Sequence, residues 1–363
     1  MQLVRLKTSY FRNLAELDLE FSPHFNFIYG KNGSGKSSLL EAIYFLSLGR
    51  SFRSRLANRA IQYDAERFNL FSALLGPNSA IMKTVGLEKI RQGKTKIKID
   101  NNVNPVSELA KLLPLQLINP SSYLLLSGGP RARRGFIDWG VFHVEPQFFQ
   151  VWQRYQHVLK QRNAALQQQV PWNQIKIWDL ALIEIAEELT LFREKYLSQL
   201  IPLIIELINR LVNLQGLSIS FYQGWDKKFN LASVLSHSMD RDYKLLYTQF
   251  GPHRADLLLS LNEISAHEIL SRGEQKLLIC ALQLAQGLLL KKIAQKSCIY
   301  LFDDLFSELD PTKQSILMQL LGKLEAQVFI TTIEETLIKS LETLRVSKLF
   351  QVEEGKVIER TLS

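Results

Sequence analysis

The sequence predicts an α/β protein: a mostly parallel sheet carrying a glycine-rich loop, interrupted by a mainly helical lobe. Three observations predict it. A short apolar run, Phe25–Tyr29, leads into Gly30-Lys31-Asn32-Gly33-Ser34-Gly35-Lys36-Ser37 and then into an apolar helical pattern through Leu48. A second apolar run, Cys298–Phe302, ends in Asp303-Asp304, 267 positions after Lys36. Between them, residues from about 131 to 214 show helical spacing, few glycines and no strand alternation. Strand, glycine loop and helix in that order are the context a phosphate-binding loop needs. An apolar run without alternation fits a strand buried on both faces of a parallel sheet.

The chain has 363 residues, 46% of them hydrophobic, enough for one large domain with an insertion or for two domains. We expect an N-terminal head part over 1–118, an inserted helical lobe over 119–249 and a C-terminal head part over 250–363. No apolar run approaches the ~20 residues of a membrane helix, so no membrane partner is expected. Cys280 and Cys298 sit inside apolar runs and read as buried thiols of a reducing cytosol, which gives a cytoplasmic expectation. The six histidines show no metal-ligand spacing.

Taken in order, residues 2–8 and 14–21 alternate as strands with a turn at Phe11-Arg12-Asn13. Strand 25–29, the loop and helix 36–48 follow. Residues 68–75, 80–90 and 94–99 read as a meander. Residues 106–113 read as a short helix and 115–118 as a buried strand. After Ser127-Gly128-Gly129-Pro130 a helix opens at Arg131 and runs to about Gly140. Helices 146–169 and 173–213 come next, the second with a kink or break expected at Pro202. Strands 217–222 and 257–261 flank a turn at Gly251–Asp256. The last third returns to α/β: helix 272–292, strand 298–302, helix 311–324, strand 327–331, helix 334–341, and two closing strands at 348–352 and 355–360.

The loop Gly30–Ser37 carries definite chemistry. Its glycines let backbone N–H groups turn onto an anion, and the following helix adds its N-terminal dipole. Lys36 reaches the β- and γ-phosphates, and the Ser37 hydroxyl holds Mg²⁺. Asp303, at the carboxyl end of its strand, faces that Mg²⁺. Asp304 is placed either to orient the attacking water or as a loop or capping carboxylate. Ser271-Arg272-Gly273-Glu274 is a capping box before an apolar helix. Ser271, the Gly273 amide and the helix dipole also offer a second anion site, which makes sense if it caps the ATP of a second copy. Ser307-Glu308-Leu309-Asp310 is spaced for a loop at the same dimer face.

Charge is unevenly spread. The net charge is +9, and between Arg50 and Ile99 eleven lysines and arginines oppose only Asp64, Glu66 and Glu88. That concentration suggests a polyanion such as DNA. Within it, Lys94–Ile99 has one apolar and one cationic face, which suits either a nucleic-acid contact or an edge strand guarded against pairing. Arg131, Arg133 and Arg134 suit either a DNA or nucleotide contact or packing on carboxylates.

The glycine loop, the Leu270–Glu274 signature, the Asp303-Asp304 pair and the Ser307–Asp310 loop together resemble an ABC-type ATPase head. The long separation of the two halves is similar to the SMC and RecN group, although the insertion lacks the heptads of a long coiled coil. Along nearly its whole length the chain resembles the RecF DNA replication and repair family. The matching stretches are Phe11-Arg12-Asn13-Leu14, Gly49-Arg50-Ser51-Phe52-Arg53, Gly128-Gly129-Pro130 with Arg133-Arg134 and Phe136-Ile137-Asp138, Lys160-Gln161-Arg162-Asn163, Gly251–Asp256 and Asp303–Asp310. Two positions depart: Ser121 stands where the family usually has an acid, and Thr331-Thr332 stand where transporter ATPases carry a histidine.

The resemblance implies an ATP-dependent DNA-binding protein, with Arg12 and Asn13 added to the nucleotide site. It implies an ATP-dependent homodimer and slow, DNA-stimulated hydrolysis. It also implies recognition of duplex beside single-stranded gaps, and work with RecO and RecR to load recombinase, linked to the SOS response. The alternatives are an SMC-like ATPase that bridges DNA and, less well supported by the basic segment, a transporter-type subunit.

Overall fold

The continuous apolar runs become strands buried along nearly their whole length. A computed structural model of the protein describes residues 1–363 except 77–81, 213, 305, 307–308, 334–346 and 361–363. The helix expected at 334–341, together with Ser307 and Glu308, lies outside the described residues. The chain divides into two units, Met1–Ser122 with Leu290–Ser363, and Tyr123–Leu289.

The first unit holds two sheets. One is antiparallel: β1 (Gln2–Ser9), β2 (Leu17–Glu20), β4 (Arg67–Leu75), β5 (Met82–Ile90), β6 (Thr95–Ile99) and β7 (Asn102–Val103), in the order β2-β1-β4-β5-β6-β7. Its period-two pattern is plain in β4, where Phe68, Leu70 and Leu74 face inward while Arg67, Asn69 and Phe71 face out. The other sheet has the order β15-β14-β3-β13-β12-β8. Here β3 is Phe25–Tyr29, β8 Leu115–Ile118, β12 Ile299–Phe302, β13 Gln327–Thr332, β14 Ser347–Glu353 and β15 Lys356–Arg360. All neighbours are parallel except β14 and β15, which form a hairpin.

Helix α1 (Lys36–Leu48) is buried over most of its surface, and one core cluster joins it to both sheets. Phe11, Phe45 and Phe68 meet edge to face there, as do Phe21, Phe329 and Phe350. Helices α2 (Val106–Leu112) and α10 (Pro311–Lys323) complete this unit.

The second unit contains α3 (Leu124–Ser127), α4 (Pro130–Val144), α5 (Phe148–Gln167), α6 (Trp172–Leu211), α7 (Leu231–Leu245) and α8 (Ala266–Ile269), with a small sheet ordered β11-β10-β9. Its strands are β9 (Leu217–Tyr222), β10 (Asp256–Leu261) and β11 (Ile264–Ser265). Helix α9 (Arg272–Ala294) begins in this unit. By length and composition α9 could cross a bilayer, but 72% of its apolar window is buried inside the protein, as in a core helix.

Two expectations differ from this arrangement, and one helix was not expected. The division falls at 289/290, not 249/250, because β10 pairs with β9 and stays with the helical unit. Helix α6 runs through Pro202 without a break. That proline lies on the exposed side, where water can satisfy the carbonyl it leaves unpaired. Helix α7, capped by the Asn230 side chain on the Ser233 N–H, went unnoticed because its pattern is polar and short.

Polar residues hold the second unit from within. Arg162, fully buried, donates to Asp179 at 2.6 Å, to Asp242 at 2.7 Å and to Thr248 at 2.8 Å. Arg193 forks onto Asp138 at 2.8 and 3.0 Å and reaches the Pro252 carbonyl at 2.8 Å. His253 Nε2 lies 3.0 Å from the Thr248 carbonyl, which can only accept, so Nε2 carries the proton and Nδ1 accepts from the Tyr155 hydroxyl at 2.7 Å.

Burial lowers the His253 pKa from 6.5 to about 4. A depressed folded-state value means the stability it contributes is present above the unfolded pKa and lost as pH falls through that window. Acidification from pH 7 to pH 4 should therefore cost about 3 kcal/mol at this residue. His253→Gln, which keeps one donor and one acceptor, should show a smaller acid-induced drop in urea midpoint than the wild type. An equal drop would refute the role.

Candidate nucleotide site

The glycine loop is shaped by backbone that only glycine adopts comfortably. Gly33 and Gly35 have φ of +79° and +123°. A Cβ on Gly30 would come within 2.3 Å of the Val352 carbonyl oxygen. That carbonyl belongs to β14, so the C-terminal hairpin backs the loop directly. The hairpin turn does the same: the Gly355 N–H donates to the Ser34 carbonyl at 2.8 Å, and the Gly355 carbonyl accepts from the Ala15 N–H at 2.9 Å. Asn13 braces the other side, donating to the Gly33 carbonyl at 3.3 Å and accepting from the Ser38 hydroxyl at 2.7 Å.

Lys36 donates to the Gly30 and Lys31 carbonyls at 2.8 and 3.1 Å, held beside the loop's backbone. Burial pushes its ammonium pKa down, while the charges of Asp304 and Asp303 pull it up.

The second half of the site arrives through the strand order. Strand β13 lies between β3 and β12, so the carboxyl ends of all three strands fall side by side. The Ser37 hydroxyl donates to Asp303 Oδ1 at 2.9 Å across 266 positions of sequence. The Thr331 hydroxyl donates to the same oxygen at 3.0 Å and accepts from the Asp304 N–H at 2.9 Å. Asp304 has φ of +54°, an uncommon conformation for a residue with a side chain. Burial pushes the Asp303 carboxyl above the usual carboxylate range and adjacent Asp304 adds to this, against the bonds from Ser37 and Thr331.

A cavity of about 330 Å³ opens here, lined by Asn32, Gly33, Gly35, Lys36, Ser37 and Asp304 of the two halves, with Arg12, Asn13, Ser38 and Arg53 beside them. Its donors and charges fit a polyphosphate. The Ser37 hydroxyl beside the Asp303 carboxylate fits Mg²⁺, which takes one or two protein oxygens and leaves its other positions to phosphates and water.

Arg12 lines the cavity, but its guanidinium is also anchored. It forks onto Glu41 at 2.7 and 2.9 Å and donates to the Arg59 carbonyl at 2.7 Å. Glu41, fully buried on α1, also accepts from the Ser51 hydroxyl at 2.5 Å and lies 3.9 Å from Arg53. The stretch Gly49–Arg53 is thus tied to the first helix behind the loop. Glu41, Arg53, Thr331 and the Gly355 turn were missed from sequence. Only the acid inside an otherwise apolar helix signalled Glu41, and Thr331 drew notice merely for not being histidine.

Ser271 lies in the second unit. Its N–H and hydroxyl donate to the Glu274 carboxylate at 2.9 and 2.7 Å, and the Glu274 N–H donates back to Ser271 Oγ at 3.3 Å, so the capping box is complete. Ser271 is exposed and Gly273 half-buried. Of the arginine triplet, Arg133 forks onto Asp256 at 2.6 and 2.9 Å and Arg134 donates to the Ala255 carbonyl at 2.8 Å, while Arg131 is exposed. Packing therefore occupies two of the three.

Comparison with known proteins agrees with this geometry. Residues 2–357 match the family model of the RecF/RecN/SMC N-terminal domain. The chain is similar to the DNA replication and repair protein RecF of Haemophilus influenzae, 43% identical over 356 residues and 98% of each chain. It is 45% identical to that of Pseudomonas aeruginosa over 365 residues, covering 99% of this chain and 98% of the other. A solved structure of the recombination mediator protein RecF with ATP, of the RecFOR pathway, superposes with a TM-score of 0.87 at 26% identity, covering 99% of this chain and 98% of that one. An SMC head bound to the C-terminal winged-helix domain of ScpA shares the fold alone, with a TM-score of 0.63 at 15% identity, covering 100% of this chain and 98% of that one. A phosphate-binding loop joined to Asp303 in an ABC-type α/β head, on a chain matched nearly end to end by these relatives, places the protein in the RecF family.

Proposed function

We propose that the chain is an ATP-dependent DNA-binding protein of recombinational repair and replication-fork restart. In this reading it is cytoplasmic, dimerises on ATP and works with RecO and RecR to load recombinase at gapped DNA. The observation that carries the reading is the Ser37–Asp303 contact, which joins both halves of a nucleotide site within one unit.

ATP with Mg²⁺ supplies the negative charge the site is shaped for and the γ-phosphate that water attacks. Each remaining role falls to this chain. The amides of Gly30–Ser37 donate to the phosphates and Lys36 neutralises them. Ser37 and Asp303 hold the ion, with Thr331 fixing the carboxylate's orientation. Asp304 orients the attacking water. Arg12 and Asn13 set the near wall. Exposed Ser271, the Gly273 amide and the N-terminus of α9 close over the nucleotide of a second copy. The Ser271 hydroxyl, donating to Glu274 within one chain, would turn from that carboxylate to the phosphate.

Lys36→Ala should lower ATP affinity roughly ten- to a hundred-fold, the loss of a charged hydrogen-bond partner, as read by calorimetric titration. Unchanged affinity would remove Lys36 from the site. Asp303→Asn should abolish the Mg²⁺ dependence of that binding. Ser271→Arg should leave ATP affinity intact yet prevent ATP-dependent dimerisation in sedimentation velocity; a normal dimer would end the shared-site argument. With Asp304→Asn, phosphate release should slow at least ten-fold while the ATP-bound dimer lives longer. An unaltered turnover rate would assign Asp304 a structural role instead.

A further inference from the structure

The solvent face of the antiparallel sheet carries a feature that neither core packing nor nucleotide binding requires. Phe71 points outward from β4 and remains 38% exposed. β4 and β5 are the two central strands of their sheet, so Phe71 lies in its interior. Its cross-strand neighbours are Lys7 on β1 and Gly86 on β5, and beyond Gly86 the row continues to Lys98 on β6. Lys96 and Lys98 are exposed on the same face.

Gly86 is the informative member of this row. A glycine within a strand weakens it and often marks a site of close approach. Gly86 has no positive φ to explain its presence. A Cβ built on it would meet nothing within 4 Å, so no neighbour excludes a side chain, and the Phe71 ring does not cover the position. Packing over a bare cross-strand glycine therefore does not account for the pair. Guarding a sheet edge does not either. β6 pairs with β7 only at Lys98 and Ile99, so edge protection suits Lys96 but says nothing of the two interior strands.

We infer that Phe71 and the open floor at Gly86 form a stacking platform for an unpaired base of single-stranded DNA, with Lys96 and Lys98 meeting the adjoining phosphates. Outward aromatics on a sheet with flanking cations are a recurring way to hold single strands, because every base has a face to stack. The side chains around Phe71 on the register are polar or small and not a protein-docking surface: Ser9, Asn69, Ala73 and Thr84, with Arg5 paired to Asp18 at 2.6 Å and Glu88, opposite Lys96, paired to Arg67 at 2.9 Å. Lys7 is drawn toward Asp18 at 3.0 Å, which leaves Lys96 and Lys98 as the cations on the Gly86 side. The platform rests on the proposed DNA-binding function and names which part of a gapped substrate this face takes: the single strand, not the duplex.

The test is fluorescence anisotropy with two labelled probes, a blunt duplex and the same duplex bearing an oligo(dT) tail. Phe71→Ala should lower affinity for the tailed probe roughly five- to a hundred-fold and leave the blunt duplex unchanged. Phe71→Tyr should retain tailed binding, and Gly86→Leu, whose Cβ meets no neighbour within 4 Å and whose side chain fills the floor, should lose it. A 2-aminopurine in the tail should be quenched by the wild type and not by Phe71→Ala. If Phe71→Ala binds both probes as the wild type does, the platform is wrong while the DNA-binding function stands. If the wild type binds neither probe, the DNA-binding function falls, and the platform with it.

Discussion

The hydrogen bond from Ser37 to Asp303 is the constraint on which the nucleotide site depends. The two residues are 266 positions apart and meet because β13 lies between β3 and β12 and brings three strand ends level. Thr331, on that intervening strand, bonds both the Asp303 carboxylate and the Asp304 amide. A change in strand order would leave a phosphate loop with nothing opposite it. The hairpin β14–β15 matters for the same reason, since its turn takes the Ser34 carbonyl and its Val352 carbonyl sets how close Gly30 must come. The far C-terminus is therefore part of the site's floor although it carries none of the site's chemistry.

A different logic organises the helical unit. The stretches of family resemblance within this unit carry buried polar contacts. Arg133 meets Asp256, Arg193 meets Asp138 and the Pro252 carbonyl, and Arg162 meets Asp179, Asp242 and Thr248. Buried ion pairs add little net stability over apolar packing, but removing one partner leaves an uncompensated charge at a cost of about 3–5 kcal/mol. Such a network suits a unit that must hold one arrangement of α5, α6 and α7 and penalise others. Motifs that suggest DNA contacts in a basic protein are, in Arg133 and Arg134, engaged in holding the unit together.

What was legible in the sequence follows the reach of each signal. The loop, α1, β12 with Asp303 and the capping box at Ser271 were readable because each motif is local: its residues lie within one turn or one strand, even where, as for Asp303, the partner does not. The buried strands were readable from unbroken apolarity. The boundary of the helical unit was not, because pairing of β9 with β10 across residues 217–261 decides it, and pairing leaves no local trace. Glu41 and Thr331 were missed for the same reason, as their partners come from distant segments. At Pro202, where a kink or break was expected, the helix does not break, and the exposed position lets water reach the carbonyl the proline leaves unpaired.

The site also shows where fold stability has been set against function. Asp303 and Asp304 are adjacent acids at a buried strand end, and Asp304 holds a left-handed backbone. Burial and the adjacent charge of Asp304 both disfavour the ionised form of Asp303. Ser37 and Thr331 offset this through hydrogen bonds, and Lys36 offsets it at longer range. Arg53 adds its positive charge, and the Lys36 ammonium also serves the loop carbonyls. An ion held beside Ser37, as proposed above, would relieve the cost of ionising Asp303, and part of its binding free energy would be the release of that cost. The polyphosphate does the converse for Lys36 and the loop amides. Each ligand makes the other's half of the site less unfavourable. In the proposed function the nucleotide and its ion would then bind as a unit, and a site so arranged would act as a clamp closed by occupancy, whether or not hydrolysis is fast.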